Sequence, residues 1–569
     1  MKERIEKIIF IITIIIISLV MIYCIGQKQG FHEDEIFSYG SSNYNLDNVF
    51  QRYGKKDEVN KIIFDEILQG DIINITNNIK NVISNPNIFM ERLHELESKE
   101  KPIWKTKEEA REYLTIGKED IFNYFYVYYN QLRDVHPPLF YFLVHLVSTI
   151  FFGTFSKYII FIINLIFLIL TLIILRKILN LLNKKYLTIP LIILYGLSIG
   201  VASTVVFLRM YQMLVFFILA SLYIHIKIIK NNFEIDKKTR NKLIAITVLG
   251  FLTQYYFCIF ALFEFLTLLV ILIKNKKKEK LKKYAKYTII SGVLGVLIFP
   301  ASIYHIFFSY RGVGASGKDS SLIESIFTYF KEISYSFSVS EIVLIVIFAI
   351  SFAIYITYLI KNYKKQKEKT NLELSAIIII PQILFFIVVC KISPMMQENT
   401  INRYISACIP LISLAVILIL DYIASKFINK KIIITLILSI MTMSLSIYGL
   451  ITNEPRYLYK GYDEVLKIAN ENQSTNYVYI CDNNFTYLSS LPEFLVYDKS
   501  LIINYNIDNL EILKENSELQ DKNEIILCVK KWLNVDQILE EVKNNIGFKN
   551  SRVMLDNNEL QSVIFKIKQ

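Results

Sequence analysis

Long apolar runs separated by short lysine-rich stretches are the dominant pattern along this chain. The first run, 8–25, has basic flanks and no small-residue cleavage site after it, which favours a retained helix over a removed signal peptide. We interpret ten further apolar runs as membrane helices. They are 158–175, 186–207, 211–229, 243–256, 258–273, 287–304, 342–360, 374–390, 404–420 and 432–450. The pattern therefore predicts a polytopic α-helical membrane protein with about 11 spans.

The lysine-rich stretches predict how the chain is oriented. Basic residues concentrate in five loops, and such loops face the cytoplasm by the positive-inside rule. With a cytoplasmic N-terminus, the polar stretch 27–135 then lies outside. A single crossing must separate it from the first basic loop, so the short apolar segment 138–152 is expected to be re-entrant or to lie on the surface. The five loops are 176–185, 227–240, 274–286, 361–369 and 426–431.

The same counting of membrane crossings gives predictions for two further stretches of the chain. The run 243–273 is long for one helix and short for two, but its flanks are basic on both sides, so we expect two helices with an outer turn at 253–256. From residue 453, strand-like runs at 477–481, 524–529 and 563–567 alternate with helix-like runs at 462–470 and 535–546. We therefore predict a transmembrane domain, 1–452, and a small extracytoplasmic α/β domain, 453–569. The transmembrane domain includes the outer loop 27–135, which is expected to be partly helical, for example at 59–68.

Composition narrows the class of protein. The chain has 569 residues, of which 53% are hydrophobic, and a mean hydropathy of +0.39, which is too apolar for a soluble protein of this size. The net charge of +12 resides largely in the loop lysines, so it does not indicate a nucleic-acid partner. Abundant Lys, Ile and Asn with little Gly is typical of an AT-rich bacterial genome.

The candidate functional residues, mostly charged or aromatic, lie on the predicted outer face. Each has an ordinary explanation when taken alone, since boundary carboxylates, snorkelling arginines and interfacial tyrosines are common. Together, arginines suit a lipid phosphate, and a nearby carboxylate could take a proton from an acceptor hydroxyl. This combination is the chemistry of a lipid-linked sugar transferase. The set comprises Asp34, Glu35, His136, Pro137, Arg209, Tyr211, Tyr255, His305, Arg311 and Arg403.

Four motifs in this order carry a resemblance to a known family. They are Asp34-Glu35, His136-Pro137-Pro138-Leu139, Arg209-Met210-Tyr211, and Arg403-Tyr404 with Pro410. The set resembles the GT-C integral-membrane glycosyltransferases, in particular the protein O-mannosyltransferase and aminoarabinose-transferase-like branch. The resemblance spans 8–450 and does not cover the tail. It implies a GT-C-like bundle and a polyprenyl-phosphate sugar as donor.

The same resemblance implies roles for individual residues. Asp34 would be the catalytic base, with Glu35 supporting it. The donor phosphate would be bound by Arg209, Tyr211 and Arg403, with Arg311 as a further candidate from its outer loop. The site would be lined by His136, Pro137, Tyr255 and His305.

The chain also departs from the family pattern. Val206-Phe207-Leu208 stands where the family often has Gln-Glu-Ala, so an expected acidic residue is missing. Gln254 stands where a His often occurs. Some relatives bind a divalent metal, and the stretch 32–35 could supply ligands, but its adjacent carboxylates do not match a regular metal spacing. No cofactor is assigned, and a metal stays open.

The sequence thus predicts an inverting hexosyl- or pentosyltransferase in the plasma membrane, acting on an unidentified protein, polysaccharide or lipid acceptor. Two alternatives stay open. A lipid or sugar transporter, or flippase, would fit a bundle of this size, although charges lie at one face and Glu264 is the main acidic residue within a predicted span. A non-catalytic cell-envelope assembly protein would differ little in sequence, although the intact Asp34-Glu35 pair argues against it.

Overall fold

The computed structural model describes most of the chain and divides it into two compact units. The first unit comprises Met1–Gly26, Val135–Phe140 and Ile160–Arg456, and the second comprises Gln27–Asp134, Tyr141–Ile159 and Tyr457–Gln569. Arg311 and the amphipathic stretch 59–68 lie outside the described residues. The described residues are 2–43, 73–74, 77–78, 80–81, 102, 104–307, 309, 321–362, 369–393, 401–482, 485–506, 508–514, 516–520 and 522–569.

The first unit is built from helices. Helix α5 from its third residue onward and the start of α6 belong to the second unit. Among the described residues, six helices are long and apolar enough to cross a membrane, or up to seven if one bent pair counts as a span. The helices are α1 (Lys2–Gly26), α5 (Leu139–Ile150), α6 (Lys157–Leu181), α7 (Thr188–Gly196), α8 (Ile199–Val206), α9 (Tyr211–Lys230), α10 (Lys237–Phe251), α11 (Tyr256–Lys274), α12 (Lys278–Ile298), α13 (Ser302–Phe307), α14 (Leu322–Phe337), α15 (Glu341–Asn362), α16 (Lys369–Ile392), α17 (Asn402–Ile405), α18 (Cys408–Ala424) and α19 (Lys431–Thr452).

The predicted single helix 186–207 is two helices, α7 and α8, bent by 62°. Ser198 causes the break because its backbone is extended and its Oγ accepts a hydrogen bond from Val201 N at 3.3 Å, which caps a new helix. The predicted helix 287–304 also differs. It begins earlier, at Lys278, and ends at Ile298, two residues before Pro300, whose ring disfavours helix at the preceding residue.

The predicted helix pair within 243–273 is confirmed. Helices α10 and α11 are separated by residues 252–255, and Gly250 lies against the ring of Phe257 across the turn. Helix α5 has 12 residues, or about 18 Å at the usual rise. It is therefore too short by itself to cross a hydrocarbon core of about 30 Å.

The second unit contains a six-stranded sheet with the order β1-β3-β2-β4-β6-β5. The central strands β3, β2 and β4 are parallel, and the remaining pairs are antiparallel. The strands are β1 (Trp104–Thr106), β2 (Tyr477–Cys481), β3 (Lys499–Asn504), β4 (Glu524–Lys530), β5 (Asn550–Asn557) and β6 (Ser562–Lys568). The helices of the unit are α2 (Glu33–Asn43), α3 (Lys107–Leu114), α4 (Tyr124–Arg133), α20 (Tyr462–Glu471), α21 (Leu491–Phe494), α22 (Ser517–Gln520) and α23 (Val535–Ile546).

The α/β character predicted for the tail is confirmed, since all three predicted strands and both predicted helices are present. Three strands were not predicted: β3, β5, and β1, which comes from far upstream in the chain. One face of the sheet, including Val478 and Ile480, packs on Ile538 and Val542 of α23. On β2, Tyr477 and Tyr479 alternate with these residues, and the Tyr477 hydroxyl donates to the buried Glu493.

Candidate functional site

Four polar residues, 32–35, lie at the N-terminal end of α2. His32 precedes the helix, and its carbonyl accepts hydrogen bonds from the backbone N–H groups of Glu35 and Ile36. The His32 N–H donates in turn to Glu35 Oε2 at 2.7 Å, and the Asp34 N–H donates to His32 Nδ1 at 3.1 Å. These bonds satisfy amides that a helix start otherwise leaves open. His32, whose role the sequence leaves unexplained, is therefore the cap of the helix that carries Asp34.

Glu35 is an ion-paired residue with no exposed side-chain surface. Its Oε2 lies 2.9 Å from Lys28 Nζ, and both side chains are 0% exposed. Lys28 also donates to the Tyr457 carbonyl at 2.5 Å and lies over the rings of Phe31 and Tyr459. Burial lowers the pKa of Lys28, while the charge of Glu35 and their hydrogen bond act in the opposite direction. These contacts fix the position of Glu35 and tie the beginning of α2 to the tail.

Asp34 has a different environment from its neighbour. Its side chain is 12% exposed, and its Oδ2 lies 3.7 Å from His32 Nδ1. Glu33 Oε2 lies 3.3 Å from the same nitrogen, so the imidazole stands near two carboxylates. Asp34 is thus the carboxylate of the predicted pair that retains access to solvent.

The other end of α2 is held by residues that sequence reasoning did not assign to the site. Asn130 Nδ2 donates to the Ser41 carbonyl at 3.2 Å, and His145 Nδ1 contacts the next carbonyl, that of Ser42, at 2.7 Å. A carbonyl only accepts, so His145 carries its hydrogen on Nδ1. Because these are among the last carbonyls of the helix, the two side chains replace missing helical bonds. The signal in the sequence was a histidine inside an apolar run.

In the first unit, Arg209 lies in the short connection between α8 and α9. Its side chain is buried, and its Nη2 lies 3.2 Å from Nε2 of the buried His136. The connection is fixed by Asn164, whose Nδ2 donates to the Val205 and Phe207 carbonyls at 3.1 and 2.8 Å. Pro137, next to His136, is also buried. The structure therefore brings together Arg209 and His136, two of the predicted site residues that were not predicted to contact each other.

An aromatic cluster surrounds the second predicted arginine. The Arg403 guanidinium lies 5.0 Å from the ring centre of Tyr404 and 5.7 Å from that of Phe207. Tyr404 packs against Tyr211 with ring centres 6.2 Å apart, and against Tyr256 at 5.8 Å. The structure thus joins Arg403 and Tyr211, which were predicted, to Tyr256, which was not among the assigned residues.

Tyr255 and His305 form a contact of their own in the same unit. The Tyr255 hydroxyl lies 2.9 Å from His305 Nδ1, and the two rings meet edge to face. Tyr255 immediately precedes Tyr256 of the aromatic cluster. Tyr255, in the turn between α10 and α11, and Tyr256, the first residue of α11, therefore contact two different groups of residues.

The described part of the chain holds no group of three or more His, Cys, Asp or Glu residues that could bind a metal ion. Within 32–35, the one region that the sequence offers, Glu35 is committed to Lys28 and to the His32 amide. The residues there do not fit a metal site.

Comparison with solved structures gives a likeness at the level of the fold. The crystal structure of ArnT from Cupriavidus metallidurans bound to undecaprenyl phosphate is similar to this chain with a TM-score of 0.49 and 9% sequence identity. The likeness covers 76% of this chain and 87% of that one. No protein-family model matches the chain, and no curated protein matches it.

Proposed function

We propose that this protein is a membrane glycosyltransferase that moves a sugar from a polyprenyl phosphate to an acceptor on the outer face. The observation that carries the proposal is the environment of Arg209 and Arg403 at the helix junctions of the first unit. Arg209 stands directly before the first turn of α9, where the helix dipole adds positive potential. A guanidinium fork binds phosphate oxygens in two-point fashion, which suits a lipid phosphate.

The tyrosine rings near Arg403 support the same function. Tyr211, Tyr256 and Tyr404 form an amphipathic cluster, because each ring is apolar and each hydroxyl is polar. Such a cluster suits a molecule that carries both a sugar and a polyprenyl chain. As the bond between the sugar and the phosphate breaks, negative charge develops on the phosphate, and the arginines stabilise it.

Asp34 is the catalytic base in this proposal. An acceptor hydroxyl attacks the anomeric carbon, its proton passes to the Asp34 carboxylate, and the polyprenyl phosphate leaves. Attack from the side opposite to the phosphate inverts the configuration at that carbon. Glu35 is assigned a supporting role, since its ion pair with Lys28 holds the first turn of α2 in place.

The test is transfer of radiolabelled sugar from polyprenyl-phosphate donors by the purified full-length protein. Asp34→Asn should abolish transfer because the amide cannot take the proton. Glu33→Gln is the matched control, because it neutralises the neighbouring carboxylate that also lies near His32 and should leave transfer largely intact. Normal turnover by Asp34→Asn would refute the assignment of the base.

Transport of a lipid or sugar is the alternative that the same assay separates. In a flippase the label remains on its lipid and only changes leaflet, whereas in a transferase it leaves the lipid. Arg209→Lys should raise the KM for the donor, because an ammonium group cannot reproduce the two-point contact with phosphate. An unchanged KM in that variant would remove Arg209 from donor binding.

A further inference from the structure

A second group of buried polar side chains lies inside the first unit and includes none of the arginine and tyrosine residues described above. Glu264 is the ninth of 19 residues in α11 and is 0% exposed. Ser221 and His225 face it from α9, one helical turn apart, and Tyr284 approaches His225 from α12. Both α9 and α11 are among the helices apolar enough to cross a membrane. An ionisable residue inside a membrane-spanning helix is energetically costly, so its presence indicates a candidate functional site.

The hydrogen bonds around His225 fix where its protons lie. Nδ1 is 2.9 Å from the Ser221 carbonyl, which only accepts, so Nδ1 carries a hydrogen that points to that oxygen. Nε2 is 2.8 Å from the Tyr284 hydroxyl, which can donate to it. A neutral imidazole therefore satisfies both of these bonds, and no positive charge on His225 is required.

Glu264 has few partners for a carboxylate. Its Oε2 contacts the Ser221 hydroxyl and lies 3.4 Å from His225 Nδ1, whose hydrogen serves the Ser221 carbonyl. Its Oε1 has no hydrogen-bond partner within the described residues. An ionised carboxylate with one bare oxygen in an apolar interior is strongly unfavourable, whereas a neutral acid is much less so.

Several other charged groups on the neighbouring helices have partners of their own or lie near helix ends. On α16, Glu373 accepts a hydrogen bond from Asn275, just beyond the C-terminal end of α11, at 2.6 Å. On α9, Lys227 donates to Thr239. Helix α10 carries its basic residues within its first two turns, at Lys237, Lys238, Arg240 and Lys242.

We propose that Glu264 is an intramembrane proton-binding site. Its ligand is a single proton, which makes the side chain a neutral carboxylic acid in contact with Ser221. A metal ion does not fit, because the described residues offer no cluster of three or more His, Cys, Asp or Glu ligands. The site stands independently of sugar transfer.

Infrared difference spectroscopy of the full-length protein in lipid nanodiscs at neutral pH tests the proposal. Subtracting the spectrum of Glu264→Gln from that of the wild type should reveal the C=O stretching band of a protonated carboxyl group. Glu279→Gln is the control, since Glu279 is an exposed carboxylate paired with Lys282 at 3.1 Å and should contribute carboxylate bands alone. Carboxylate bands alone in the Glu264→Gln difference would show that Glu264 is ionised and would overturn the proposal.

Ser221→Ala gives a second readout that keeps the carboxyl group in place. It removes the hydroxyl next to Glu264, so the acid band should move to higher wavenumber as its hydrogen bond is lost. A Ser221→Ala spectrum unchanged in the acid region would contradict the proposal even if Glu264→Gln failed to fold.

Discussion

Lys28 and Glu35 form an ion pair with no exposed side-chain surface at the start of the helix that carries Asp34. Lys28→Met would leave the Glu35 charge buried without its partner, so we expect the free energy of unfolding to fall by about 3–5 kcal/mol. Both tryptophans of the chain, Trp104 and Trp532, lie in the same unit as the pair. Tryptophan fluorescence during urea unfolding therefore measures the effect.

A matched control for this prediction lies in the same unit. Lys107 pairs with Asp498 at 2.6 Å, but both side chains are well exposed, so Lys107→Met should change stability little. The double variant Lys28→Met with Glu35→Gln removes both charges and should recover part of the loss. Equal unfolding curves for Lys28→Met and Lys107→Met would show that the buried pair is not needed for stability.

At the scale of single residues, the sequence identified the residue types of the candidate site but not the structural role of each residue. Adjacent carboxylates at 33–35 look alike in sequence, and only the fold shows that Glu35 faces Lys28 while Asp34 retains some exposure. The arginines were predicted from their motifs. Their neighbours depended on tertiary contacts, such as Tyr256 against Tyr404, that no local pattern encodes.

At the scale of elements, close packing of α8 permits no side chain at Gly200. A Cβ there would lie 2.5 Å from the Cβ of Ser336 on α14 and 2.7 Å from Ile409 Cδ1 of α18. Gly200→Ala should therefore destabilise the bundle by about 1–3 kcal/mol, because either α8 or its neighbours must shift. Thermal unfolding in detergent, followed by helical circular dichroism, measures this.

Gly292 provides the comparison because it is also a helical glycine, within α12, and a Cβ there would meet nothing within 4 Å. Gly292→Ala should be neutral or stabilising by about 0.5–1 kcal/mol through the lower helix propensity of glycine. If both variants shifted the transition equally, the close approach of α8 and α14 would not be the cause.

Helices and strands were predicted correctly where the hydrophobic pattern is regular. The predictions failed where a single residue determines where an element ends. Long apolar runs located most of the long helices, but hydropathy carries no signal for the cap at Ser198 that divides α7 from α8. Strand β5 is mostly exposed, so it lacks the alternation that identifies a half-buried strand. Strand β1 has three residues and pairs with β3, almost 400 residues away, which is beyond any local pattern.

At the scale of the whole molecule, the second unit is assembled from three separate stretches of chain. Strand β1 and helix α2 precede most of the apolar helices in sequence, whereas the rest of the sheet follows them. The predicted domain boundary at 452, placed by composition alone, separates the tail from the upstream strand β1, with which it shares a sheet. Both parts of this unit must therefore lie on one side of the membrane.

This shared location sharpens the predicted orientation into a test by chemical labelling. Asn523 is exposed in the turn before β4, and Lys278 is exposed at the start of α12 within a basic loop. In intact cells, a membrane-impermeant maleimide should label Asn523→Cys but not Lys278→Cys, which should react after permeabilisation. The wild-type chain is the control, because five of its six cysteines are buried. Labelling of Lys278→Cys alone in intact cells would reverse the orientation and place Asp34, in the same unit as Asn523, on the cytoplasmic side.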